Sequence, residues 1–327
     1  MMRIFAPKRW GKSIPWWAKL INIMLDLEEY KKQFIKRYDY APYLKYFSYK
    51  DFKGLNFNEY NIEINQNRIM GGFYFYNKIY EPLVVFVHGM GPGHLSYMRE
   101  VETIARQGYM VYAYDMFGTG KSDGYKINGL LGAIASLDLV LENLHQTYEN
   151  IIVIGHSLGA FASLNIAKYK PYIKTVVAIS GFVAIDLLSS IAVEPQLILD
   201  YEKSLNAKYY ESSAEVISKL EKFKGNLMII HSSDDEMVNP NIGINYLKKH
   251  LKSEPNYLML DGKKHNPNYS YEAVKYMDDV FKDFNNKQKE NSLSLDEQIK
   301  YFESIDFVKM TNQDMDVWNK IFDFIKL

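Results

Sequence analysis

Three stretches of the chain carry residue types that do chemistry when brought together. The first is Gly155-His156-Ser157-Leu158-Gly159. In a tight turn the flanking glycines avoid collisions that a Cβ would cause, and the serine is pushed outward. The second is His231-Ser232-Ser233-Asp234-Asp235-Glu236-Met237-Val238, and the third is Asp261-Gly262-Lys263-Lys264-His265-Asn266. A serine hydroxyl is a weak nucleophile at neutral pH and needs a base, itself oriented by an acid. Ser157, a carboxylate of the second stretch and His265 supply these parts in the chain order Ser, acid, His. Asp235 would accept the His265 ring N–H. Asp234 and Glu236 are rivals for that role, and spacing alone does not separate them. His231 precedes the acid and is the poorer base, although loop geometry can still bring it to the site.

Elements must hold these loops in place. Four β-formers, Ile151-Ile152-Val153-Ile154, precede the serine turn, and Ala160 to Tyr169, without Gly or Pro, follows it. A strand, this turn and a helix is the setting a nucleophilic serine needs. The helix N-terminus favours negative charge developing beside it. The tetrahedral intermediate of acyl transfer carries an oxyanion that requires N–H donors already in position. Leu158 supplies one from its backbone. The His88-Gly89-Met90 turn, after the apolar run Leu83 to Val87, supplies another from Met90.

Further strands are expected at Asn61 to Ile64, Phe73 to Tyr76, Tyr109 to Tyr114, Thr175 to Ile179, Leu227 to Ile230 and Tyr257 to Leu260. A turn-rich stretch ending in Gly71-Gly72 separates the first two. Helical spacing links Val101, Ile104 and Ala105, and again Leu130, Ile134, Leu137, Leu141 and Leu144. Tyr269 to Phe284 suits a last core helix. Strands alternating with helices predict an α/β fold, a mainly parallel sheet covered on both faces. From Gly181 to about Lys222 the alternation lapses, and a small helical cap is expected there. Its apolar start, Phe182 to Val193, reads equally as a wall for a hydrophobic substrate or as a helix burying itself on the core.

The domain reading is an accessory helical segment at 1–55, a core at 56–285 and a helical extension at 286–327. Leu20, Met24, Leu27, Lys31, Phe34 and Tyr38 follow one helix face in the first segment. Lys287 to Asn291 reads as a polar linker before two short helices, Leu295 to Phe307 and Asp314 to Phe324. Trp318 argues that the second docks on the main body.

Composition removes several alternatives. Lys plus Arg and Asp plus Glu number 39 each, so no global field favours nucleic acid. The chain has no Cys, which excludes disulfides, Cys-ligated metals and a Cys nucleophile. Gly120-Lys121-Ser122 lacks the Gly that a phosphate loop requires five positions earlier, since Asp115 stands there. His88 and His94 lack a third ligand at a recognisable spacing, so no metal is expected. No run of 18 or more apolar residues occurs, and the N-terminus lacks a signal-peptide pattern. A cytoplasmic location is expected. Trp10, Trp16 and Trp17 lie among Arg3, Lys8, Arg9, Lys12 and Lys19. Residues 1–19 therefore also suit peripheral contact with a membrane surface, although packing on protein is the favoured reading.

The combination of His88-Gly89, Asp115…Gly118-x-Gly120-x-Ser122, Gly155–Gly159 and Ser233-Asp234-Asp235…Val238 with His265 resembles the α/β-hydrolase superfamily. Within it the combination resembles the serine-hydrolase branch with acylglycerol lipases, lysophospholipases and serine aminopeptidases. The resemblance covers roughly residues 60 to 285. It implies a serine hydrolase, foremost a carboxylic-ester hydrolase on a small-molecule ester or acyl substrate, with no cofactor. Thioesterase, amidase or peptidase activity, or a non-catalytic binding protein on the same fold, are the alternatives. It also favours Asp235 as the acid, three residues before Val238. Two departures stand out. Ser232 replaces the Gly that often follows such a histidine, and Asn239-Pro240 extends the usual Val-Pro.

Overall fold

Alternation along the apolar strands produces a core on each side of one sheet. The computed structural model describes residues 27–77, 80–190 and 195–326. In chain order the strands are β1 (Asn56–Glu59), β2 (Ile62–Ile64), β3 (Asn67–Ile69), β4 (Gly71–Phe75), β5 (Tyr80–Val87), β6 (Tyr109–Tyr114), β7 (Ile151–His156), β8 (Ile173–Ile179), β9 (Asn226–Ser232) and β10 (Asn256–Leu260). Eight of them form a sheet in the order β1-β4-β6-β5-β7-β8-β9-β10. The pairs from β6 to β10 are parallel, and β1 and β4 are added antiparallel at one edge. β2 and β3 form a separate hairpin.

Successive strand side chains point to opposite faces. Val85, Val87 and Val153 thus join one apolar cluster, with helices α3 (Leu131–Leu144) and α4 (Leu158–Ala167). Val84, Phe86, Ile152 and Ile154 join the other, with α2 (Met98–Arg106) and the C-terminal helices. These last are α8 (Tyr271–Asn291), α9 (Leu295–Glu303), α10 (Phe307–Met310) and α11 (Met315–Ile325). Trp318 is fully buried there, so the extension docks on the sheet face as its tryptophan implied. The mainly parallel α/β sheet expected from the alternation is what the chain adopts.

Between β8 and β9 lie a 3-10 turn (Ile185–Ser190), α5 (Pro195–Asn206) and α6 (Ser213–Leu220), and between β9 and β10 lies α7 (Ile244–His250). α5 is moored by one buried acid. Glu202 accepts the Leu130 and Leu131 backbone N–H groups at 2.8 and 3.1 Å, and the Tyr30 hydroxyl. A carboxylate at the N-terminal end of α3 meets free N–H groups and a positive dipole. Phe182 to Ile185 are buried, and Phe182 stacks on Phe161 at 4.3 Å. The start of the apolar segment therefore belongs to the core. Ile191 to Val193 lie outside the described residues.

Three local expectations are corrected. Helix spacing through Tyr38 predicted one long accessory helix, but the described helix covers residues 27–34 only. Tyr38 instead bridges Thr119, and Arg37 donates to the Gly120, Ser122 and Gly124 carbonyls, so tertiary contacts override periodicity. Gly71 and Gly72 lie in β4 rather than a turn, registered with Tyr114 and Ala113. Lys287 to Asn291 is the end of α8, not a linker. Its Lys, Gln and Glu residues are good helix formers, and Lys287 pairs with Asp283 at 2.9 Å. Residues 1–19, read as an amphipathic or membrane-facing segment, lie outside the described residues. Among the described residues no helix is long and apolar enough to cross a membrane.

Candidate active site

Ser157 occupies the turn between β7 and α4 with φ 55° and ψ −116°, a backbone state that non-glycine residues rarely adopt. The strain is held by the parallel strand beside it, where Ser157 N–H donates to the Ile179 carbonyl at 2.8 Å. The glycines do what their positions suggested. A Cβ at Gly159 would lie 2.1 Å from the Val87 carbonyl oxygen, and one at Gly155 would lie 2.4 Å from that of Gly159. Leu158 is the first residue of α4, so its N–H belongs to the unsatisfied N-terminal turn. The His88-Gly89-Met90 turn packs directly on the serine, since a Cβ at Gly89 would stand 3.1 Å from that of Ser157. Met90 thus follows a residue in contact with the candidate nucleophile.

The candidate acid and base come from the loops after β9 and β10, at the same end of the sheet as the serine turn. His265 follows β10, and its Nδ1 lies 2.8 Å from Asp235 Oδ2 in the loop after β9. A carboxylate only accepts, so Nδ1 carries the proton and Nε2 keeps its lone pair as the basic nitrogen. Asp235 Oδ1 accepts the Met237 and Val238 N–H groups, both at 2.9 Å. Burial pushes the Asp235 carboxyl up, but His231, His265 and the Val238 N–H together hold it well below the usual carboxylate range. The rivals are placed elsewhere. Asp234 accepts from the Ser232 hydroxyl at 2.5 Å and Lys264 N–H at 3.2 Å, and Glu236 is exposed. Of the three acids, Asp235 is the one facing the His265 ring.

Other motif residues hold the loops. His88 Nδ1 donates to the Gly89 carbonyl at 2.7 Å, and its Nε2 accepts the Met116 N–H at 3.0 Å. Burial lowers it to about 4, so it stays neutral. His94 Nδ1 donates to Asp115 at 2.6 Å, and its Nε2 meets the Tyr74 hydroxyl at 2.8 Å. Asp115 also accepts the backbone N–H groups of His94 and Lys121, both at 2.8 Å. Burial raises Asp115, yet His94 and these donors bring it to about 2. The Gly120-Lys121-Ser122 loop is therefore knitted around a carboxylate, not arranged as a phosphate cradle.

Comparison with known proteins bears on the fold that carries these loops. A family model described as serine aminopeptidase, S33, matches residues 80–203. RutD of Escherichia coli O103:H2, a candidate carbamate hydrolase, is 29% identical over 111 residues, 32% of this chain and 40% of that protein. The proline iminopeptidase of Saccharolobus solfataricus is 29% identical over 129 residues, 37% of this chain and 41% of that protein. The chain spans less than half the length of these curated relatives. The structure of Pyrococcus furiosus esterase Pf2001 superposes with a TM-score of 0.54 at 18% identity, covering 76% of this chain and 96% of that one. The chain has the α/β-hydrolase fold of that structure.

On this fold, residues that the motifs did not single out also hold the candidate site together. His156 lies inside the serine pentapeptide. Its Nε2 donates to the His265 carbonyl at 2.8 Å, and its Nδ1 accepts from the Tyr97 hydroxyl at 3.0 Å. Burial, with His265 alongside, lowers His156 to about 3, which keeps this neutral tautomer. The residue before Ser157 thus fixes the backbone of the base loop. His231 donates from Nε2 to the Val238 carbonyl at 2.9 Å and lies 3.2 Å from Asp235 Oδ2. It stands beside Asp235 rather than in the place of His265. Ser232, at the position where glycine is usual, accepts Lys263 N–H at 3.1 Å while donating to Asp234, and so joins the acid and base loops.

One buried acid near this edge has a pH consequence. Burial raises Glu100 of α2 to about 7, with Tyr269 and Asn268 only partly offsetting it. A carboxyl raised in the fold favours folding below its unfolded value near 4.5, and that contribution is lost as pH rises through about 7. Glu100→Gln should therefore flatten the fall in melting temperature between acidic and mildly alkaline buffer. The expected difference is on the order of a few degrees. Parallel melting curves for both proteins would reject this.

Proposed function

We propose that the chain is a serine hydrolase acting by acyl transfer, foremost on carboxylic esters of apolar acids. The observation that carries the reading is the oriented pair His265–Asp235, in the loops after β10 and β9, at the same end of the sheet as a serine held at positive φ. In this mechanism Ser157 Oγ attacks the ester carbonyl while His265 Nε2 takes its proton. The oxyanion is met by the Met90 and Leu158 N–H groups. His265 then protonates the departing alcohol. It next takes a proton from water as that water attacks the acyl-enzyme, and returns the proton to Ser157 as the acid leaves. Asp235 stays ionised throughout and stabilises the imidazolium.

The preference for an apolar acyl group rests on the loops around the serine. Those leaving β5, β6, β8 and β9 carry half-buried Met90, Phe117, Leu187, Leu188 and Val238. Apolar side chains on these loops, packed against the core beneath them, favour hydrocarbon over a charged substrate. The family model's description favours amide substrates as the second reading, because the same steps cleave a peptide bond.

A fluorophosphonate probe and a substrate panel test both readings. The folded protein should take the probe at Ser157. It should turn over p-nitrophenyl esters from acetate to laurate faster than amino-acid p-nitroanilides, proline included. Faster anilide turnover selects the amide reading, and absence of labelling removes the serine-hydrolase reading altogether.

A further inference from the structure

The loop that carries His265 is short, yet a general base must be placed to within a fraction of an ångström. Gly262 and Lys264 both take positive φ in it, at 70° and 47°. On one side Ser232 and Asp234 hold it. On the other it is held by the C-terminal extension, beyond the stretch that carries the sequence motifs. Lys263 is 1% exposed, and its ammonium donates to Asp314 Oδ2 at 2.6 Å and to the Tyr269 carbonyl at 2.5 Å. The same ammonium lies 3.9 Å from the centre of the Tyr271 ring.

Asp314 has two tasks. Its Oδ1 caps α11 by accepting from Asp316 and Val317 N–H at 3.0 and 3.3 Å, which leaves Oδ2 for the lysine. The backbone joins in, with Asp314 N–H donating to the Asn268 carbonyl at 2.8 Å and Ser270 N–H to that of Asn312 at 2.9 Å. α11 itself is fixed by Trp318, Ile321 and Phe322, all buried against the sheet face. Trp318 Nε1 and Asn268 Nδ2 both donate to Gln313 Oε1, at 2.8 and 3.1 Å. A rigid path thus runs from the sheet through α11 and Asp314 to Lys263, two residues from His265.

We propose that this C-terminal extension is a positioning element for the base, with the Lys263–Asp314 pair as a clamp holding His265 against Asp235. The proposal rests on the reading of His265 as general base. Stability alone does not account for the pair. Burying an ammonium against a carboxylate gives little over well-packed apolar residues, whereas its geometry specifies one arrangement of two loops. A displacement of about 1 Å in a catalytic group is enough to lower a rate about a hundredfold.

The test uses the full-length protein with p-nitrophenyl butyrate as substrate. Asp314→Asn keeps a capping side chain but removes the charge, and Lys263→Met keeps length without the ammonium. Each should lower kcat about tenfold or more while KM stays within about threefold, as expected for lost alignment. The double variant should be no worse than the poorer single one, because the two act as a unit. Asp314→Glu should recover part of the rate. The downfield proton resonance of His265 Nδ1–H should weaken in both single variants. Leu144→Ala, in α3 on the other face of the sheet, supplies a comparably destabilised protein that keeps its kcat below its melting temperature. The clamp is overturned if both single variants keep kcat within twofold and the resonance unchanged, or lose rate only in step with folded protein. Wild-type protein that neither cleaves ester nor takes the fluorophosphonate removes the triad reading, and the clamp with it. Active wild type, inactive Ser157→Ala and unaffected clamp variants remove the clamp alone.

Discussion

Ser157→Ala should abolish ester turnover, with kcat falling by roughly 10⁴ to 10⁶-fold, because the remaining groups have no nucleophile to activate. Fluorophosphonate labelling should vanish with it, while KM-like binding of an unreactive ester analogue persists. Ser157→Gly should lose the same activity and also gain stability. The serine sits at φ 55° and ψ −116°, where a Cβ is unwelcome and glycine is not. Relief of that strain, less the extra entropy of an unfolded glycine, leaves a gain on the order of 1 kcal/mol. Alanine keeps the Cβ and should melt close to the wild type. The pair of variants therefore separates the two properties of the turn. A residual rate within tenfold of wild type in either variant would overturn Ser157 as nucleophile. A glycine variant that melts below the alanine one would overturn the strain argument.

Ser157 was legible because both its chemistry and its local structure are written in adjacent residues. The strand β7, the two glycines and α4 are contiguous, so propensity and chain geometry agree without help from distant parts. The buried parallel strands were legible for the same reason. The expected and observed bounds of Tyr109–Tyr114 coincide, since a strand covered on both faces is a continuous apolar run. β1 was not seen, because Asn56-Phe57-Asn58-Glu59 is mostly polar and becomes a strand through pairing with β4. Asp235 and Asp234 are neighbours in one loop, and composition does not say which one faces a histidine 30 residues away. His156, Ser232 and Lys263 were missed as site residues because their partners are remote. His156 meets His265 across 109 positions, and Lys263 meets Asp314 across 51. A polar side chain inside an otherwise small-residue or apolar motif, as at His156 and Ser232, was the one signal available.

Asp235→Asn should lower kcat about 10⁴-fold with little change in KM, although the side chain keeps its size. Two donors of each kind converge on the carboxylate. Oδ1 accepts the Met237 and Val238 N–H groups, and Oδ2 faces the His265 and His231 rings. An asparagine oxygen can replace one carboxylate oxygen only. If it serves the backbone, its NH₂ points at two ring N–H groups. His265 must then move its proton to Nε2, which removes the lone pair that would accept the Ser157 proton. Asp234→Asn should be mild by comparison, because Asp234 serves Ser232 and Lys264 N–H instead. The acid limb of stability gives a second, independent reading. The Asp235 carboxyl is buried yet held well below the usual carboxylate range by its histidine partners. A carboxylate lowered in the fold contributes stability above its unfolded value of about 4, and that contribution is lost as pH falls toward the lowered folded value. The wild type should therefore lose stability on acidification below about pH 4 more steeply than Asp235→Asn, which carries no proton-binding group at this position. Initial rates on p-nitrophenyl butyrate and urea midpoints across that pH range measure both effects. Asp234→Asn inactive beside an active Asp235→Asn would transfer the acid's role to Asp234.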